Sequence, residues 1–246
     1  MHADDVGRQL EAFDYMPLTS RPVGRLLYEL ALWPDVVELL ELGTAHGTST
    51  AYLAAALDEK GEGHLTTIDR PDALERTPNV HEVLRHLGLE RWVSPIRAES
   101  YNRVLMQMLE EQTQGGAIRP CLDFCFLDGA HTWETDGFAF LLVDRLLRPG
   151  RWIILDDVVW SPACSPALRD SERVRALSDE ERNERQVGKI VDLLIRTTPG
   201  YQVRLLGNIA FAFKGPPDAP EFQRLAQATT ALLHEVATSH VAPRQG

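Results

Sequence analysis

The sequence predicts an α/β fold with a doubly wound, mostly parallel sheet of seven strands that ends in an antiparallel hairpin. Short apolar runs alternate with amphipathic stretches, which is typical of β-α-β units that build a parallel sheet. The first apolar run, VVELLELG at 36–43, passes through a turn with two glycines directly into a helical pattern. Near the carboxyl end, YQVRLLGN and IAFAFKG meet so closely at Gly207-Asn208 that their strands are expected to be antiparallel.

Each element follows from its local pattern. Apolar runs predict the parallel strands at residues 36–43, 64–70, 93–99, 121–129 and 151–159. Amphipathic stretches between these runs predict helices over Thr48 to Lys60, Asn79 to Leu87, Tyr101 to Gln112 and Thr132 to Leu147. Pro149 and Gly150 are expected to stop the last of these helices, because proline lacks the amide that continues a helix.

The organisation along the chain predicts a single domain of 246 residues, long enough to bury a full core with 44% hydrophobic residues. Its expected segments are an N-terminal helical extension (1–35), a core (36–160), an insertion (161–187), a helix with the terminal hairpin (188–215), and a C-terminal helix and tail (216–246). The final helix is predicted over Glu221 to Thr238. Arginine alternates with acidic residues over 165–186, which indicates either a solvated helical face or a lid.

Charge and hydropathy exclude several kinds of partner. Lys and Arg number 25 against 36 Asp and Glu, so the net charge of −11 disfavours binding to a nucleic-acid backbone. No stretch approaches the roughly 18 apolar residues of a membrane span, and the first residues lack the pattern of a signal peptide. We therefore expect a cytoplasmic protein with neither a membrane nor a nucleic-acid partner.

The turn after the first strand has the pattern E-x-G-x-x-x-G, in which Gly43 ends the strand and Gly47 opens the helix. A P-loop would need Gly-Lys-Ser/Thr at its end, and the dinucleotide fingerprint would need glycine where Ala45 stands. The spacing, with Glu41 before it and Asp69 at the end of the next strand, resembles the Rossmann-like class I S-adenosylmethionine-dependent methyltransferases. A glycine turn that only packs remains the alternative on this motif alone.

The resemblance implies that S-adenosyl-L-methionine is the cofactor and lies along the first three strand ends. Asp69 is placed to accept hydrogen bonds from both ribose hydroxyls, although it also suits the start of the following helix. Ser100 suits the start of a helix as well. The implied cofactor-binding residues are Glu41, Gly43, Gly47, Ser49, Asp69, Ala98, Glu99, Ser100 and Asp128.

Carboxylates also follow the fourth and fifth predicted strands. Asp128 ends FLDGAHTWE, and Asp156 and Asp157 end IILDDVVW on the neighbouring strand, so three carboxylates are expected to converge. A hard divalent cation such as Mg²⁺ would relieve their repulsion. These motifs resemble the metal-dependent O-methyltransferases of the catechol type and related enzymes of antibiotic biosynthesis. The resemblance implies that all three are metal ligands, although the catechol type has an amide where Asp157 stands.

His131 lies three residues after the first of these carboxylates, where the catechol type carries a lysine base. With an ordinary pKa of about 6.5, an imidazole can accept a proton near neutral pH, so we predict that His131 is the catalytic base. Local hydrogen bonding or metal ligation by His131 are the alternatives. Trp133 and Trp160 are expected to flank the mouth of the pocket or to anchor a core or lid, and His46 to lie beside the cofactor or cap the turn.

The resemblance implies a methyltransferase that acts on an oxygen of a small molecule, with natural-product precursors among the candidate acceptors. Catechol-like aromatics, sugars and polyketides all suit such a site. Open alternatives are a metal-independent N- or O-methyltransferase, a hydroxylase-like or other metal-dependent relative on the same scaffold, and a non-catalytic binder. Tyr15 and Met16 are expected either to cover the cofactor or to make a subunit contact, which leaves a homo-oligomer open.

Overall fold

A computed structural model describes residues 1–15, 17–165 and 168–225 of the chain. Met16 lies outside the described residues, as does the predicted final helix beyond residue 225. Residues 220–225 are helical, so the described part of that prediction is confirmed. Within the described ranges, no helix combines the length and apolar character needed to cross a membrane.

The strands are β1 Glu38–Leu42, β2 His64–Asp69, β3 Val93–Arg97, β4 Thr113–Gln114, β5 Ala117–Ile118, β6 Leu122–Leu127, β7 Leu147–Leu155, β8 Tyr201–Leu206 and β9 Ile209–Lys214. Seven of them form one sheet in the order β3-β2-β1-β6-β7-β9-β8, and β4 and β5 pair separately. Neighbouring strands in the series β3-β2-β1-β6-β7 pair in parallel, whereas β9 is antiparallel to both β7 and β8. The predicted fold class and terminal hairpin are confirmed.

The helices are α1 Ala3–Leu10, α2 Arg21–Ala31, α3 Thr48–Lys60, α4 Val80–Leu87, α5 Tyr101–Gln112, α6 Phe138–Leu146, α7 Glu172–Arg175, α8 Asp179–Asn183 and α9 Gln186–Lys189. A π-helical turn at Trp133–Gly137 leads into α6, and another at Ile190–Ile195 continues α9. Short 3₁₀ turns lie at Pro71–Glu75, Glu90–Trp92 and Pro162–Cys164.

The sequence prediction of one helix from Thr132 to Leu147, stopped by Pro149 and Gly150, is wrong at both ends. Thr132 is extended, and β7 already begins at Leu147. The pairing of β6 with β7 shifts its register just beyond this point, which absorbs the Pro-Gly pair as an irregularity in the strand. Gly150 supports it with a φ of +77°, a backbone conformation that favours glycine.

Two apolar layers cover the faces of the sheet. One packs α1 to α4 against side chains such as Leu39 and Phe124, and the other packs α5 and α6 against side chains such as Leu42 and Cys125. Every residue of the central strand β6 is buried, as expected for a parallel strand covered on both sides. Because both faces are filled, the carboxyl edge of the strands is where a ligand can bind.

The insertion after β7 is folded into short helices rather than one solvated helical face. Ser171 and Ser178 cap α7 and α8 with their side chains, and Val174 is the buried residue of α7. Most other side chains of residues 168–185 are exposed or half-buried. The charged pattern therefore corresponds to the solvent side of a thin, capped layer.

Candidate active site

A cavity of about 1240 Å³ opens along the carboxyl edge of the sheet. Its walls come from α2 and the residues just before it, from the ends of β1, β2, β3, β6 and β7 and the segments that follow them, from the β8–β9 turn and from the insertion. The lining residues used below are Gly43, Ala45, Asp69, Arg70, Asp72, Arg76, Glu99, Ser100, Tyr101, Asp128, Gly129, His131, Asp156, Asp157, Arg173 and Asn208.

The glycine turn is shaped by close packing against neighbouring strands and helices. A Cβ added to Gly43, which has a φ of +96°, would lie 1.9 Å from the carbonyl oxygen of Asp128. A Cβ on Gly47, with a φ of +91°, would lie 2.9 Å from a methyl group of Val80. Both positions therefore require glycine. Ala45 between them also has a positive φ, of 48°, which marks a constrained backbone at the cavity wall.

Asp69 holds this turn in place while it also lines the cavity. Its Oδ2 accepts hydrogen bonds from the backbone amides of Thr44 at 2.9 Å and Ala45 at 2.7 Å, and its Oδ1 accepts one from the backbone amide of Arg70 at 2.7 Å. A carboxylate oxygen has more than one lone pair, so these bonds leave acceptor capacity towards the cavity. Asp69 thus has a structural role that the sequence reasoning considered only as a helix-start charge.

Glu41 lies behind the turn, fully buried and outside the cavity. Its Oε2 accepts hydrogen bonds from Thr50 at 2.5 Å and Thr67 at 2.6 Å. Its Oε1 has no hydrogen-bond partner within the described part of the chain. Burial raises the pKa of Glu41 to about 7, against the hydrogen bonds from Ser49, Thr50 and Thr67, and the charge of Asp128 adds to the rise.

The nine predicted cofactor residues separate into two groups. Five line the cavity, namely Gly43, Asp69, Glu99, Ser100 and Asp128. Four do not line it, namely Glu41, Gly47, Ser49 and Ala98. Ser49 lies beside Glu41 and lowers its pKa, and the amide of Ala98 donates a hydrogen bond to the carbonyl of Asp69, so these residues support the walls. Ser100 occupies the N-cap position of α5, but its side chain makes no capping hydrogen bond and remains available to the cavity.

Asp128, His131 and Asp157 bring their ligand atoms together at the other end of the cavity. One ligand atom from each lies within 4.8 Å of the other two, a grouping able to hold a metal ion. His131 Nε2 donates a hydrogen bond to Asp128 Oδ1 at 3.2 Å and lies 3.1 Å from Asp157 Oδ2. The convergence of carboxylates at neighbouring strand ends is as expected, but an imidazole stands between them.

Asp156, the remaining predicted ligand, lines the cavity but does not belong to this group of ligand atoms. Its Oδ1 accepts a hydrogen bond from the amide of Asp157 at 2.8 Å. Burial and the charge of Asp128 raise the pKa of Asp156 to about 7. Burial also raises the pKa of Asp157, where the proximity of His131 opposes the rise. The carboxylates thus repel one another in the absence of a cation.

His131 is held in a demanding position. Its φ of 56° and the φ of 62° at Asp157 are rare for residues other than glycine, and such backbone strain clusters at functional sites. Burial alone would lower the pKa of His131, but its hydrogen bond to Asp128 and the charges of Asp128 and Asp157 outweigh burial and raise it. The ring of Trp160 lies against the imidazole with 5.1 Å between centroids.

Three supporting residues were not found by sequence reasoning. The Nδ2 of Asn208, in the hairpin turn, donates a hydrogen bond to Asp157 Oδ1 at 2.6 Å. The hydroxyl of Tyr101 donates to buried Asp136, whose Oδ1 also accepts from the amide of Ala130 at 3.2 Å. These contacts fix the backbone on both sides of the cluster. The close Gly207-Asn208 junction and the position of Asp136 five residues after His131 were the signals available.

The remaining aromatic residues and histidine singled out in the sequence lie around the cavity without lining it. Neither Trp133 nor Trp160 lines the cavity; the amide of Trp133 donates to Gln186 at 2.7 Å, which ties the π-helical turn to α9. His46 Nδ1 donates to the carbonyl of Pro78 at 2.7 Å and so braces the glycine turn. The Tyr15 hydroxyl forms a hydrogen bond with Thr48 at the start of α3, at 2.8 Å.

Comparison with known proteins defines the class. Residues 40–158 match the family described as Methyltransferase domain. A catechol O-methyltransferase from Niastella koreensis is 29% identical over 160 residues, which covers 63% of this chain and 66% of that protein, just under two thirds of its length.

Solved structures share the fold. The O-methyltransferase TomG from Streptomyces achromogenes, involved in tomaymycin synthesis and solved with S-adenosylmethionine, is 20% identical, with a TM-score of 0.58 over 87% of this chain and 89% of that one. An O-methyltransferase from Bacillus cereus in complex with S-adenosylhomocysteine is 22% identical, with a TM-score of 0.59 over 86% and 90%. Methyltransferase PaMTH1 from Podospora anserina is 18% identical, with a TM-score of 0.61 over 87% and 88%.

The matched domain, the glycine turn and the strand order are consistent with the class I S-adenosylmethionine-dependent methyltransferases, which the chain resembles. Within this class it resembles the O-methyltransferases, as the catechol O-methyltransferase homologue confirms. The resemblance predicted from Gly43, Gly47 and Asp69 is therefore confirmed.

Proposed function

We propose that the protein transfers the methyl group of S-adenosyl-L-methionine to one of two neighbouring oxygens of a small molecule, with the assistance of a divalent cation. The observation that carries the proposal is the convergence of Asp128, His131 and Asp157 within 4.8 Å, in the cavity that the glycine turn also lines. Natural-product precursors with adjacent oxygens, such as catechol-like aromatics, are the proposed acceptors.

The cofactor half of the proposal rests on the walls near β1 to β3. Gly43 and Ala45 expose backbone to the cavity, and Asp69 and Glu99 offer carboxylates suited to ribose and amino groups. The bound cofactor would supply an electrophilic methyl group on a positively charged sulfur. Glu99 and Ser100 would hold it from the β3 side, and the packed turn would fix its orientation relative to the acceptor.

The metal half rests on the donor set. Asp128 and Asp157, whose ligand atoms converge, would hold the cation, and Asp156 beside them is the third proposed carboxylate ligand. Carboxylate oxygens favour Mg²⁺. The imidazole nitrogen of His131 within the group also suits softer divalent ions such as Mn²⁺ or Fe²⁺. A bound cation would draw two neighbouring acceptor oxygens to one place and lower the pKa of the hydroxyl to be methylated.

His131 is the proposed acceptor of the hydroxyl proton. The negative charges of Asp128 and Asp157 raise its pKa, and a protonated imidazole cannot accept a further proton. A cation bound to Asp128 and Asp157 would neutralise their charges and so lower the pKa of His131. The imidazole would then be neutral and able to accept a proton. Asp128 and Trp160 would meanwhile keep the ring at the cavity wall.

A methylation assay with catechol and S-adenosylmethionine tests the proposal. Excess chelator is expected to abolish turnover and added Mg²⁺ to restore it. His131→Ala is expected to slow the chemical step by about 10²- to 10⁴-fold with little change in metal affinity, and the loss should shrink at high pH where the hydroxyl ionises unaided. His81→Ala, an exposed histidine on α4, is the matched control.

Three results would contradict parts of the proposal. Full activity in excess chelator would contradict the proposed role of the cation. A His131→Ala variant that needs more metal but reaches the normal rate at saturation makes His131 a ligand instead of the base. Tighter binding of NAD than of S-adenosylhomocysteine would contradict the proposal that S-adenosylmethionine is the cofactor.

A second candidate is metal-independent methyl transfer to a nitrogen or a lone hydroxyl. The contact of His131 Nε2 with Asp128 and Asp157 favours it, because carboxylates beside an imidazole orient it and stabilise its charged form after proton uptake. This candidate predicts turnover in chelator that His131→Ala abolishes.

A further inference from the structure

The insertion after β7 places one arginine on the cavity wall. Arg173 belongs to α7, the single-turn helix that Ser171 caps by accepting the amide of Val174 at 3.3 Å. Val174 is only 5% exposed, so α7 is anchored to the body of the protein. The guanidinium is thus carried on a fixed turn of helix.

The charge partners of the neighbouring arginines differ from those of Arg173. Arg169 and Arg175 contact Asp170 at 3.4 and 3.6 Å, and Arg182 pairs with Asp179. Arg173 has no carboxylate within ion-pair distance among the residues that the structure describes. The arginine of α7 that lines the cavity therefore has no ion-pair partner in the described part of the chain, unlike Arg175 on the same helix.

The other cations of the cavity lie elsewhere on its wall. Arg70 contacts Asp72 at 3.2 Å, and both Arg70 and Arg76 belong to the segment after β2, beside the proposed ribose position at Asp69. Arg173 instead comes from the segment that follows Asp156 and Asp157, where the acceptor is proposed to bind. An arginine there would attract an anion that the carboxylate cluster itself would repel.

We infer that Arg173 binds an anionic group of the methyl acceptor, so that the acceptor class is a compound with two neighbouring oxygens and a separate carboxylate or phosphate. The inference rests on the proposed function. A guanidinium offers a planar pair of donors that matches either oxyanion, and such charge-assisted bonds are stronger than neutral ones. A neutral acceptor of the same shape would leave Arg173 without a partner.

Calorimetry on the full chain with S-adenosylhomocysteine and Mg²⁺ tests this inference. The probes are 3,4-dihydroxybenzoate, 3,4-dihydroxybenzylphosphonate and the neutral 3,4-dihydroxybenzamide. At least one anionic probe should bind about 10- to 100-fold more tightly than the amide, and which one does so separates a carboxylate from a phosphate. Arg173→Gln should remove that preference without altering affinity for the amide, and Arg173→Lys should retain part of it.

Arg175→Gln, on the same helix but outside the cavity lining, is the matched control and should keep the preference. Equal affinities for all three probes in the unchanged protein, no binding of any probe, or an Arg173→Gln variant that keeps the preference would overturn the inference. Loss of the preference in Arg76→Gln but not in Arg173→Gln would overturn it as well. Anion-selective binding that depends on Arg173, without methyl transfer to any probe, leaves the inference standing and defeats the proposed function.

Discussion

Among single residues, Glu41 has an unusual environment for a carboxyl group. It is fully buried, one of its oxygens has no partner within the described residues, and its pKa is raised to about 7. Because the raised pKa means that folding favours the neutral form, Glu41 contributes stability below its unfolded pKa of 4.5. That contribution declines as the pH rises towards 7 and is absent above it.

Glu41→Gln is therefore expected to flatten the pH dependence of stability. The amide keeps the shape and an acceptor oxygen for Thr50 and Thr67 but cannot ionise. Between pH 5 and pH 8 the unchanged protein should lose up to about 3 kcal/mol more of its unfolding free energy than the variant does, since each pKa unit corresponds to about 1.4 kcal/mol. Urea unfolding at the two pH values measures the difference.

Glu38→Gln, at an exposed position of the same strand, serves as the control and should follow the unchanged protein. Parallel pH profiles for Glu41→Gln and the unchanged protein would show that the carboxyl ionises freely in its buried position.

At the scale of elements, residues 168–185 combine exposed ion pairs with little buried apolar surface. Exposed pairs of this kind contribute little, typically about 0–1 kcal/mol each. The segment is therefore expected to open more easily than the sheet and its packed helices. Because Arg173 reaches the cavity, ligands bound there would hold the segment closed.

Limited trypsin digestion is expected to cut this segment first in the ligand-free protein. S-adenosylhomocysteine and an anionic catechol together should slow that cleavage several-fold, while cleavage at exposed Arg85 on α4, outside the cavity, stays unchanged as an internal control. Mass spectrometry of the fragments identifies the sites. Identical cleavage with and without ligands would favour a permanently solvated insertion over a lid.

For the whole molecule, the proposed cation site at Asp128, Asp156 and Asp157 predicts that cation binding affects stability. Burial and the charge of Asp128 raise the pKa of Asp156 to about 7, so at lower pH a proton occupies the group that a cation would need ionised. Stabilisation by a divalent cation should therefore increase from pH 6 to pH 8. A ligand at 100 times its dissociation constant adds about 2.7 kcal/mol to the unfolding free energy.

Thermal melting with Mg²⁺ or with chelator, at both pH values, measures this linkage without any assay of activity. Asp157→Asn should weaken the response, whereas Asp170→Asn, in an exposed pair of the insertion, should leave it intact. If Mg²⁺ does not change the melting temperature at pH 8, or changes it equally in both variants, the carboxylates Asp128, Asp156 and Asp157 do not bind the cation.

The sequence by itself determined where the helices and strands lie and which carboxylates stand at the ends of the strands. Hydrophobic periodicity and turn residues are local properties, so α3 and α5 begin and end at the predicted residues, and the hairpin forms at Gly207-Asn208. In a parallel sheet, the end of each strand fixes the edge on which the next residue lies. Asp69, Asp128 and Asp157 were therefore predictable as cavity residues before their contacts were known.

Only the tertiary structure decided which groups touch. Asn208 meets Asp157 across 51 positions and Tyr101 meets Asp136 across 35, and no local pattern encodes such pairs. β7 begins at Leu147 because that residue pairs with Leu122 of β6. Local helix propensity carries no information on this pairing, so the sequence predicted that the preceding helix extends to Leu147. Likewise, Arg173 resembles its neighbours in sequence. It differs from them because folding places this side chain on the cavity wall, and that placement depends on contacts between distant segments.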